Sequence, residues 1–447
     1  MISSSPPNRG ARWRGGIAAA LLALSLVGAA CGGSEDESNG VQPVGTNDSA
    51  PVMTTTPTGD GGAESPEGAP APANGGSGVT EGDGSGDGAG EASGDGTAPD
   101  PGSTETGDPE PVPDPPAPTP TPTPGPTEPL TGEPLADPSI MNRPALAVKI
   151  GTSSVGRPQT GINQADILIE VRVETITRLF AVFHSQDAVS LGPVRSARSS
   201  DPDILANFGQ PVYGHSGGNP GVLREISQGE SAGMLYELLW DGLPNDYWRI
   251  ADRVPPWNLY TTTANIWRAA PSSLPPPEPL FEYLREGEAL PSDAEPVPGV
   301  EVRYLGGTVA QFVWDAEASG WARWQDGTPH VDMARHSDGT PNPDVNPEQV
   351  TPANVVVLQT RYTGSAQCSY CPEAITVDPE GGTALVFTAG HMIRGRWSRP
   401  SADQPWKVTD NNGNPVRLTP GQTFIVLPGG DVLVMVQDFA EHLLKNR

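Results

Sequence analysis

The strongest chemical pattern in this sequence is a pair of arginines close to a glycine-rich loop. Arg195 and Arg198 stand three residues apart, shortly before a predicted helix start at Pro202. Residues 215–218 (HSGG) lead from a predicted strand into a second predicted helix that starts at Pro220. Backbone N–H groups of such a loop and the positive end of a helix dipole attract anions, and guanidinium groups bind phosphate or carboxylate through two hydrogen bonds. These residues therefore predict a pocket for an anionic ligand.

Arg178 and Arg253 are candidates to complete this pocket. We predict ligand-binding roles for a set of polar and glycine residues: Arg178, Arg195, Ser196, Arg198, His215, Gly217, Gly218, Arg253 and Asn258. A structural role stays open as the alternative for each of them. The glycines can form a simple tight turn, the arginines can pair with acids such as Asp201, and the histidine can be a buried core residue.

Several familiar site types are excluded by their missing motifs. The sequence has no Gly-x-x-x-x-Gly-Lys-Ser/Thr loop, no dinucleotide-binding glycine fingerprint and no Gly-x-Ser-x-Gly nucleophile turn. The chain of 447 residues has 54 acidic and 26 basic side chains, for a formal net charge of −28. That balance argues against nucleic-acid binding, which depends on a basic surface.

Cys368 and Cys371 form a C-x-x-C pair near the end of the chain. The pair supplies only half of the ligands of a four-cysteine zinc site, and Pro372 stands where haem attachment requires histidine. Oxidised thiols are favoured outside the cytoplasm, so a small-loop disulfide is predicted. His330 and Asp332 belong to a turn-rich stretch and are interpreted as loop residues, so no metal site is predicted.

The first 31 residues have the three parts of an export signal. Three arginines are followed by an apolar stretch at residues 17–27 and by small residues before Cys31. The apolar stretch is too short for a membrane-spanning helix, which needs about 20 residues. Small residues before cysteine resemble a bacterial lipobox, although Gly28 stands where leucine is usual, so ordinary cleavage after Ala30 stays open. We expect lipidation of Cys31 and an anchor at the extracytoplasmic face of the cell membrane.

Composition separates residues 32–140 from the rest of the chain. They hold 20 acids, no base and no Phe, Trp or Tyr. Such a segment lacks the apolar side chains that offset the entropy cost of folding, so we predict disorder. Residues 58–97 are Gly/Ser-rich and flexible, whereas residues 109–134 favour extended polyproline II. The linker is interpreted as a stalk or as a simple spacer.

Strand and helix signals alternate in residues 141–285, the first segment. Period-2 alternation in residues 166–174 places apolar side chains on one face of a strand, and the apolar run at residues 179–183 indicates a central strand. Asx-Pro pairs at residues 201–202 and 219–220 are typical helix starts. The first segment is therefore predicted to be an α/β domain.

Residues 300–436, the second segment, contain short β-like runs separated by Asp-Gly and Asn-Gly pairs. The runs are residues 302–304, 311–314, 321–324, 355–358, 384–387, 394–397 and 424–426. These turn pairs favour tight hairpins. We predict a smaller, mainly antiparallel β domain with a terminal helix at residues 439–444.

Six motifs, taken in order, resemble the YerB-like family of bacterial lipoproteins. They are residues 157–166 (RPQTGINQAD), 177–183 (TRLFAVF), 192–198 (GPVRSAR), 215–220 (HSGGNP), 395–400 (GRWSRP) and 418–424 (LTPGQTF). The resemblance covers residues 140–430 and implies an extracytoplasmic lipoprotein with an N-terminal α/β domain and a C-terminal β domain. It implies no established activity. Trp257 departs from the family, which usually has histidine there, so that position is expected to pack or to contact ligand rather than to transfer protons.

A weaker resemblance links the first segment to envelope phosphotransferases that attach polymers to peptidoglycan. It implies Asp166 as a metal ligand or base, and Arg178, Arg195 and Arg198 as holders of a pyrophosphate, with a divalent metal screening the charge. This enzyme is one alternative, and a scaffold that binds a partner without a ligand is another. We favour a non-catalytic envelope protein that binds an anionic ligand or cell-wall component.

Overall fold

The structure is a computed structural model that describes residues 125–366 and 368–447, with the backbone alone for residues 368–370. The predicted export signal, Cys31 and most of the predicted linker lie outside the described residues. The described residues belong to one unit, which spans Val112–Arg447. None of the helices in this part of the chain is long and apolar enough to cross a membrane.

Eight strands lie in the first segment of the described chain. They are β1 (Leu146–Gly151), β2 (Ile167–Val173), β3 (Ile176–Phe183), β4 (Val212–His215), β5 (Tyr236–Leu239), β6 (Tyr247–Arg249), β7 (Leu259–Thr261) and β8 (Glu282–Tyr283).

The remaining strands of the described chain follow from residue 295 onward. They are β9 (Glu295–Pro296), β10 (Gly299–Arg303), β11 (Val309–Asp315), β12 (Gly320–Gln325), β13 (Thr328–Pro329), β14 (Val331–Asp332), β15 (Glu348–Gln349), β16 (Asn354–Leu358), β17 (Tyr362–Ser365), β18 (Cys368–Ala374), β19 (Asp378–Thr388), β20 (His391–Arg399), β21 (Lys407–Asp410), β22 (Arg417–Leu418), β23 (Thr423–Leu427) and β24 (Val432–Val434).

The helices of the described residues are short. They are α1 (Asp201–Leu205), α2 (Pro220–Ser231), α3 (Thr263–Ala269) and α4 (Gln437–Lys445), with single 3-10 turns at Pro138–Asn142, Ser154–Gly156, Ala206–Phe208 and Trp240–Gly242. The seven β-like runs of the second segment all overlap strands, and α4 contains the predicted terminal helix.

The largest sheet runs through both segments. Its order is β21-β20-β19-β16-β23-β2-β3-β1-β4-β5, with β9 beside β20. Strand β2 pairs in parallel with β23, from Ile167 opposite Thr423 to Val171 opposite Leu427. The predicted α/β domain followed by a β domain is therefore confirmed only in part, because the two segments share one mixed sheet. Periodicity indicates that a strand is buried but not which strand it pairs with.

Strand β2 lies in the middle of this sheet and is buried on both faces. Ile167 and Ile169 pack into one core cluster, whereas Leu168 packs into the other. The structure therefore has the predicted alternation of side chains between two faces, and it buries both faces. A strand at the centre of a sheet that is covered on both sides presents no face to water.

A second, antiparallel sheet has the order β13-β12-β11-β10-β24. Helix α4 packs against it through Ala440 and Leu443, which contact Val313 and Trp324 in a small core cluster. The β12–β13 connection uses the predicted Asp326-Gly327 pair, and both residues have positive φ, 53° and 75°. This is the backbone geometry that a two-residue hairpin turn requires.

The two predicted helix starts of the first segment differ in how they form. Asn219 caps α2, because its side chain accepts a hydrogen bond of 2.9 Å from the Val222 N–H. The N-cap of α1 is instead Ser200, without a side-chain bond. Asp201, the expected cap, is fully buried and accepts from Lys149 Nζ at 2.8 Å. A buried ammonium group holds this carboxylate inside the fold.

The last residues of the predicted disordered linker are folded. The Glu128 N–H donates to the Glu133 carbonyl at 2.8 Å, and Leu130 is fully buried. The Glu128 carboxylate lies 2.9 Å from His184 Nδ1. The prediction that disorder extends to residue 140 is therefore wrong for residues 127–140, since one buried leucine and one buried acid fix this stretch to the core.

Candidate functional site

Three of the predicted arginines lie together at the end of strand β3. Arg178 is on β3, and its Nη1 donates to the Ser196 carbonyl. Arg198 Nη1 donates to the Ala197 carbonyl at 2.8 Å, and its Nη2 donates to Glu174 Oε1 at 2.8 Å. The β2–β3 turn and the loop that precedes α1 thus place these side chains side by side.

The arginines share one electrostatic field. Burial and, after it, the neighbouring charges of Arg198 and Arg195 lower the pKa of Arg178 to about 9, against smaller opposing effects of Asp201 and Glu174. Burial and then the Arg198 charge likewise lower the pKa of Arg195. Mutual repulsion of this kind means that the cluster has more positive than negative charge, and an anion would relieve it.

The glycine-rich loop is bonded directly to the arginine loop. The Ala197 N–H donates to the Gly217 carbonyl at 2.8 Å, and the Ser216 N–H donates to the Arg195 carbonyl at 3.0 Å. Gly217 has a φ of 105°, a backbone conformation that residues other than glycine rarely adopt. The two loops therefore form one continuous wall that ends at the capped start of α2.

His215 holds this wall in place from behind. Its side chain is fully buried, with Nε2 lying 2.9 Å from Glu237 Oε1, while Nδ1 accepts from the Gly217 N–H at 3.1 Å. The ring also stacks on Tyr213 at 4.8 Å between centroids. In this arrangement His215 positions the glycine loop, which matches the alternative of a buried core histidine, and its contact with a ligand stays a prediction.

A cleft of about 490 Å³ opens beside these two loops. We call it the arginine cleft, and its walls include Ser196, Arg198 and residues 216–219. Glu174, Asp241 and Cys371 also line it, so the second segment contributes to its wall. The start of α2, the glycine loop and the Arg198 guanidinium group thus meet at one concave surface, an arrangement that suits a phosphate or carboxylate. Arg178 and Arg195 lie beside it and do not line it.

Arg195 lies at the side of this cluster and contacts Trp257. Its Nη1 donates to the Pro256 carbonyl at 2.9 Å, and its guanidinium carbon is 5.7 Å from the centroid of the Trp257 ring. A guanidinium over an aromatic face is held by a cation–π interaction. Trp257 therefore packs against a predicted ligand-binding arginine.

Two of the predicted ligand-binding residues form hydrogen bonds within the protein. Arg253 donates to the carbonyls of Gly156, at 2.7 Å, and Pro158, at 2.6 Å. Asn258 is buried and accepts from Arg249 Nη1 at 2.7 Å. Neither residue lines the arginine cleft, so their ligand-binding roles stay predictions that this cleft does not support.

Asp166 lies away from the arginines. Arg178 pairs with Val171 on β2, five residues from Asp166, which corresponds to roughly 17 Å along a strand. The Asp166 carboxylate accepts from the Ser185 N–H at 2.8 Å, and burial raises its pKa to about 6. The predicted phosphotransferase arrangement of this acid with the arginines is therefore not assembled. Among the described residues, no three His, Cys, Asp or Glu side chains are grouped as metal ligands.

Cys371 is buried and disulfide-bonded. The side chain of Cys368 lies outside the described residues, so the predicted Cys368–Cys371 pair stays a prediction. Sequence reasoning did not predict Glu174, Trp240 or Asn219 as cleft residues. The position of Asn219, directly after the glycine pair and at a helix start, is the one signal that could have found it.

Family comparisons cover both segments. Residues 130–275 match the model described as protein of unknown function (DUF3048), N-terminal domain, and residues 300–425 match the corresponding C-terminal domain. The Bacillus subtilis (strain 168) protein named "Putative lipoprotein YerB" is 29% identical over 310 residues, which are 66% of this chain and 84% of that protein. The crystal structure of Bacillus subtilis YerB is similar in fold, with a TM-score of 0.56 and 23% identity, covering 69% of this chain and 99% of that one.

Proposed function

This chain belongs to the YerB-like family of paired DUF3048 domains, and on that basis we propose that it is a lipid-anchored cell-envelope protein that binds an anionic ligand in the arginine cleft. The observation that carries the proposal is that Arg198 lines the cleft beside the glycine loop and the start of α2, with Arg178 and Arg195 near enough for their charges to interact. Burial is the main cause of the lowered pKa of Arg178, and the charges of Arg198 and Arg195 add repulsion that a bound anion would offset.

The arginine cleft can select an anion by charge and by shape. Arg198 and residues 216–219 line the same cleft, so a ligand there can meet the guanidinium group together with the positive end of the α2 dipole. Glu174 and Asp241 are the acids in the same wall, and Glu174 is already engaged by Arg198. Because the ligand must compete with Glu174 for this arginine, we expect an anion with more than one charge, such as a pyrophosphate, to bind better than a monoanion.

The second segment supports the arginine cleft. Ser199 Oγ donates to Glu373 Oε2 at 3.2 Å, and Cys371 forms part of the wall. We propose that the paired domains act as one binding unit in which the C-terminal domain closes the cleft.

A thermal-unfolding series tests binding. Inorganic pyrophosphate should raise the midpoint temperature of thermal unfolding of the purified protein. The Arg198→Ala variant should not show that increase. A matched control is Arg394→Ala, which removes a half-exposed arginine that is paired with Glu295 at 3.6 Å and is not part of the cleft. Equal increases in all three proteins, or none in the parent, would reject the arginine cleft as the site and leave a scaffold role.

The anchor is proposed from the lipobox-like sequence and from the lipoprotein name of the Bacillus subtilis relative. Mass spectrometry of the mature N-terminus tests it directly. A diacyl or triacyl adduct on Cys31 is the expected result, and an unmodified cysteine or a start at Cys31 without lipid would refute the anchor.

A further inference from the structure

A second cleft opens where three loops of the described chain meet. It has a volume of about 310 Å³, and we call it the three-loop cleft. The loops are residues 160–164 before β2, residues 187–190 after β3, and residues 332–348, which span β14 to β15. It shares no lining residue with the arginine cleft.

Hydrogen bonds fix two of these loops. The Asp332 carboxylate accepts from the N–H of Gly161 and from the N–H of Asn163, both at 2.8 Å. Arg335 donates to both carboxylate oxygens of Asp252, at 3.1 and 2.7 Å, and to a loop carbonyl at 2.7 Å. The cleft is therefore formed before any ligand arrives, which lowers the entropy cost of binding.

Neutral polar side chains dominate the wall of the three-loop cleft. Its amides and hydroxyls are Thr160, Asn163, Gln164, Ser190, Asn342 and Asn346. Each amide offers both donors and an acceptor, and each hydroxyl offers both roles. Val189 and Val345, which are 65% and 44% exposed, add apolar contacts at the same surface.

Several polar atoms in this wall lack a partner. Within the described residues, Asn163 Oδ1, Ser190 Oγ and Arg335 Nε are buried and make no hydrogen bond. Buried polar atoms are nearly always bonded in folded proteins, so each such atom calls for a partner. All three atoms belong to residues that line this cleft.

The charged side chains in the wall of the three-loop cleft argue against some classes of ligand. An anion is disfavoured because Asp187, Asp332 and Glu348 line the cleft against a single arginine, Arg335. A metal cation is disfavoured because the described residues include no group of three metal-ligating side chains.

An extended peptide is disfavoured because the backbone of the lining loops is already used. The N–H groups of Gly161 and Asn163 bind Asp332, and the Thr160 N–H donates to the Gly192 carbonyl at 3.0 Å. Strand addition needs free backbone donors and acceptors. The side-chain amides, hydroxyls and carboxylates of the wall suit a ligand rich in hydroxyl and neutral amide groups. We propose that the three-loop cleft binds a neutral saccharide, independently of the anionic ligand.

Saturation-transfer difference NMR and calorimetry on the purified full chain test this proposal with two probes, triacetylchitotriose and maltotriose. We expect saturation transfer to at least one probe, and a loss of affinity of about tenfold or more in Asn163→Ala and Asn346→Ala. Asn412→Ala, in a surface turn elsewhere, is the matched control and should bind like the parent. Arg198→Ala should also bind like the parent, which separates this site from the arginine cleft.

Three results would overturn the proposal. They are no transfer to either probe, unchanged affinity in both cleft variants while they unfold at the parent's temperature, and calcium binding that the same variants abolish. If a cleft variant fails to fold, Asn346→Asp serves in its place, because residue 346 is exposed and a new charge there should weaken saccharide binding without loss of the fold.

Discussion

Glu170 of β2 and Arg323 of β12 form an ion pair in which Oε2 and Nη2 are 2.8 Å apart and both side chains are fully buried. The pair joins the N-terminal and C-terminal family domains through their interior. Glu170 also accepts from Thr177 Oγ1 at 2.7 Å, so both carboxylate oxygens are engaged. Together with the β2–β23 pairing, this contact makes the two domains parts of one folded body.

Replacing Glu170 by alanine should destabilise the whole protein. The change leaves Arg323 charged and buried without its counter-ion, a loss of about 3–5 kcal/mol in the free energy of unfolding. Urea unfolding followed by tryptophan fluorescence measures it. Lys445→Ala, which breaks the exposed pair with Glu441, is the control and should leave the midpoint unchanged. A Glu170→Ala midpoint equal to the parent's would contradict a structural role for the buried pair.

The first segment should not fold alone. A chain that ends at residue 290 lacks β23, so β2 loses its parallel partner and exposes a buried edge. We expect an aggregated or weakly structured product without a cooperative transition, as judged by near-UV circular dichroism and size-exclusion chromatography. A cooperative transition in this fragment would show that the shared sheet is dispensable.

Asn219 should couple helix stability to anion binding. Asn219→Ala removes the cap of α2 and should cost about 1 kcal/mol. Asn219→Asp keeps an oxygen acceptor for the Val222 N–H, so stability should be retained, but it adds a negative charge to the arginine cleft. Pyrophosphate should therefore bind the aspartate variant more weakly than the alanine variant. The reverse order in a calorimetric titration would place the anion elsewhere.

Acid should stabilise the protein through Asp166. Burial raises the pKa of Asp166 to about 6 from the usual 3.8. Between pH 4 and 6 the folded state therefore holds a proton that the unfolded state has lost, so stability falls as pH rises through this window. The difference of about two pKa units corresponds to about 3 kcal/mol in the free energy of unfolding, at about 1.4 kcal/mol per unit. Asp166→Asn should therefore reduce the loss of stability between pH 4 and pH 7 by about 3 kcal/mol. Urea unfolding at pH 4 and pH 7 gives the difference, and identical slopes in the two proteins would contradict the raised pKa.

Structural features that depend on neighbouring residues could be predicted from the sequence, whereas contacts between residues distant in sequence could not. The cap at Asn219 and the Asp326-Gly327 turn follow from neighbouring residues, and the structure has both. Asp201 has the same local signal as Asn219, yet its carboxylate turns inward because Lys149, 52 positions away, has no other buried counter-ion among the described residues. Leu130 likewise lies in a proline-rich stretch that composition assigns to disorder, but it fills a core position.

The same difference between local and long-range contacts applies to the candidate site. Arg195 and Arg198 flank a loop that their own sequence motif defines, and the structure brings them to Arg178. Arg253 looks equivalent in the sequence, but its donors are used by two backbone carbonyls. Composition cannot distinguish an arginine that binds a ligand from one that binds a loop, because the same guanidinium geometry suits both.

Calorimetric titration of inorganic pyrophosphate tests the central claim most directly, with the parent, the Arg195→Gln/Arg198→Gln double variant and the Arg394→Gln control compared at low and high salt. We expect binding by the parent that weakens with salt, a loss of affinity of about tenfold or more in the double variant, and parent-like affinity in the control. Equal affinity in the parent and the double variant, or no binding by the parent, would contradict an anion site built on these arginines.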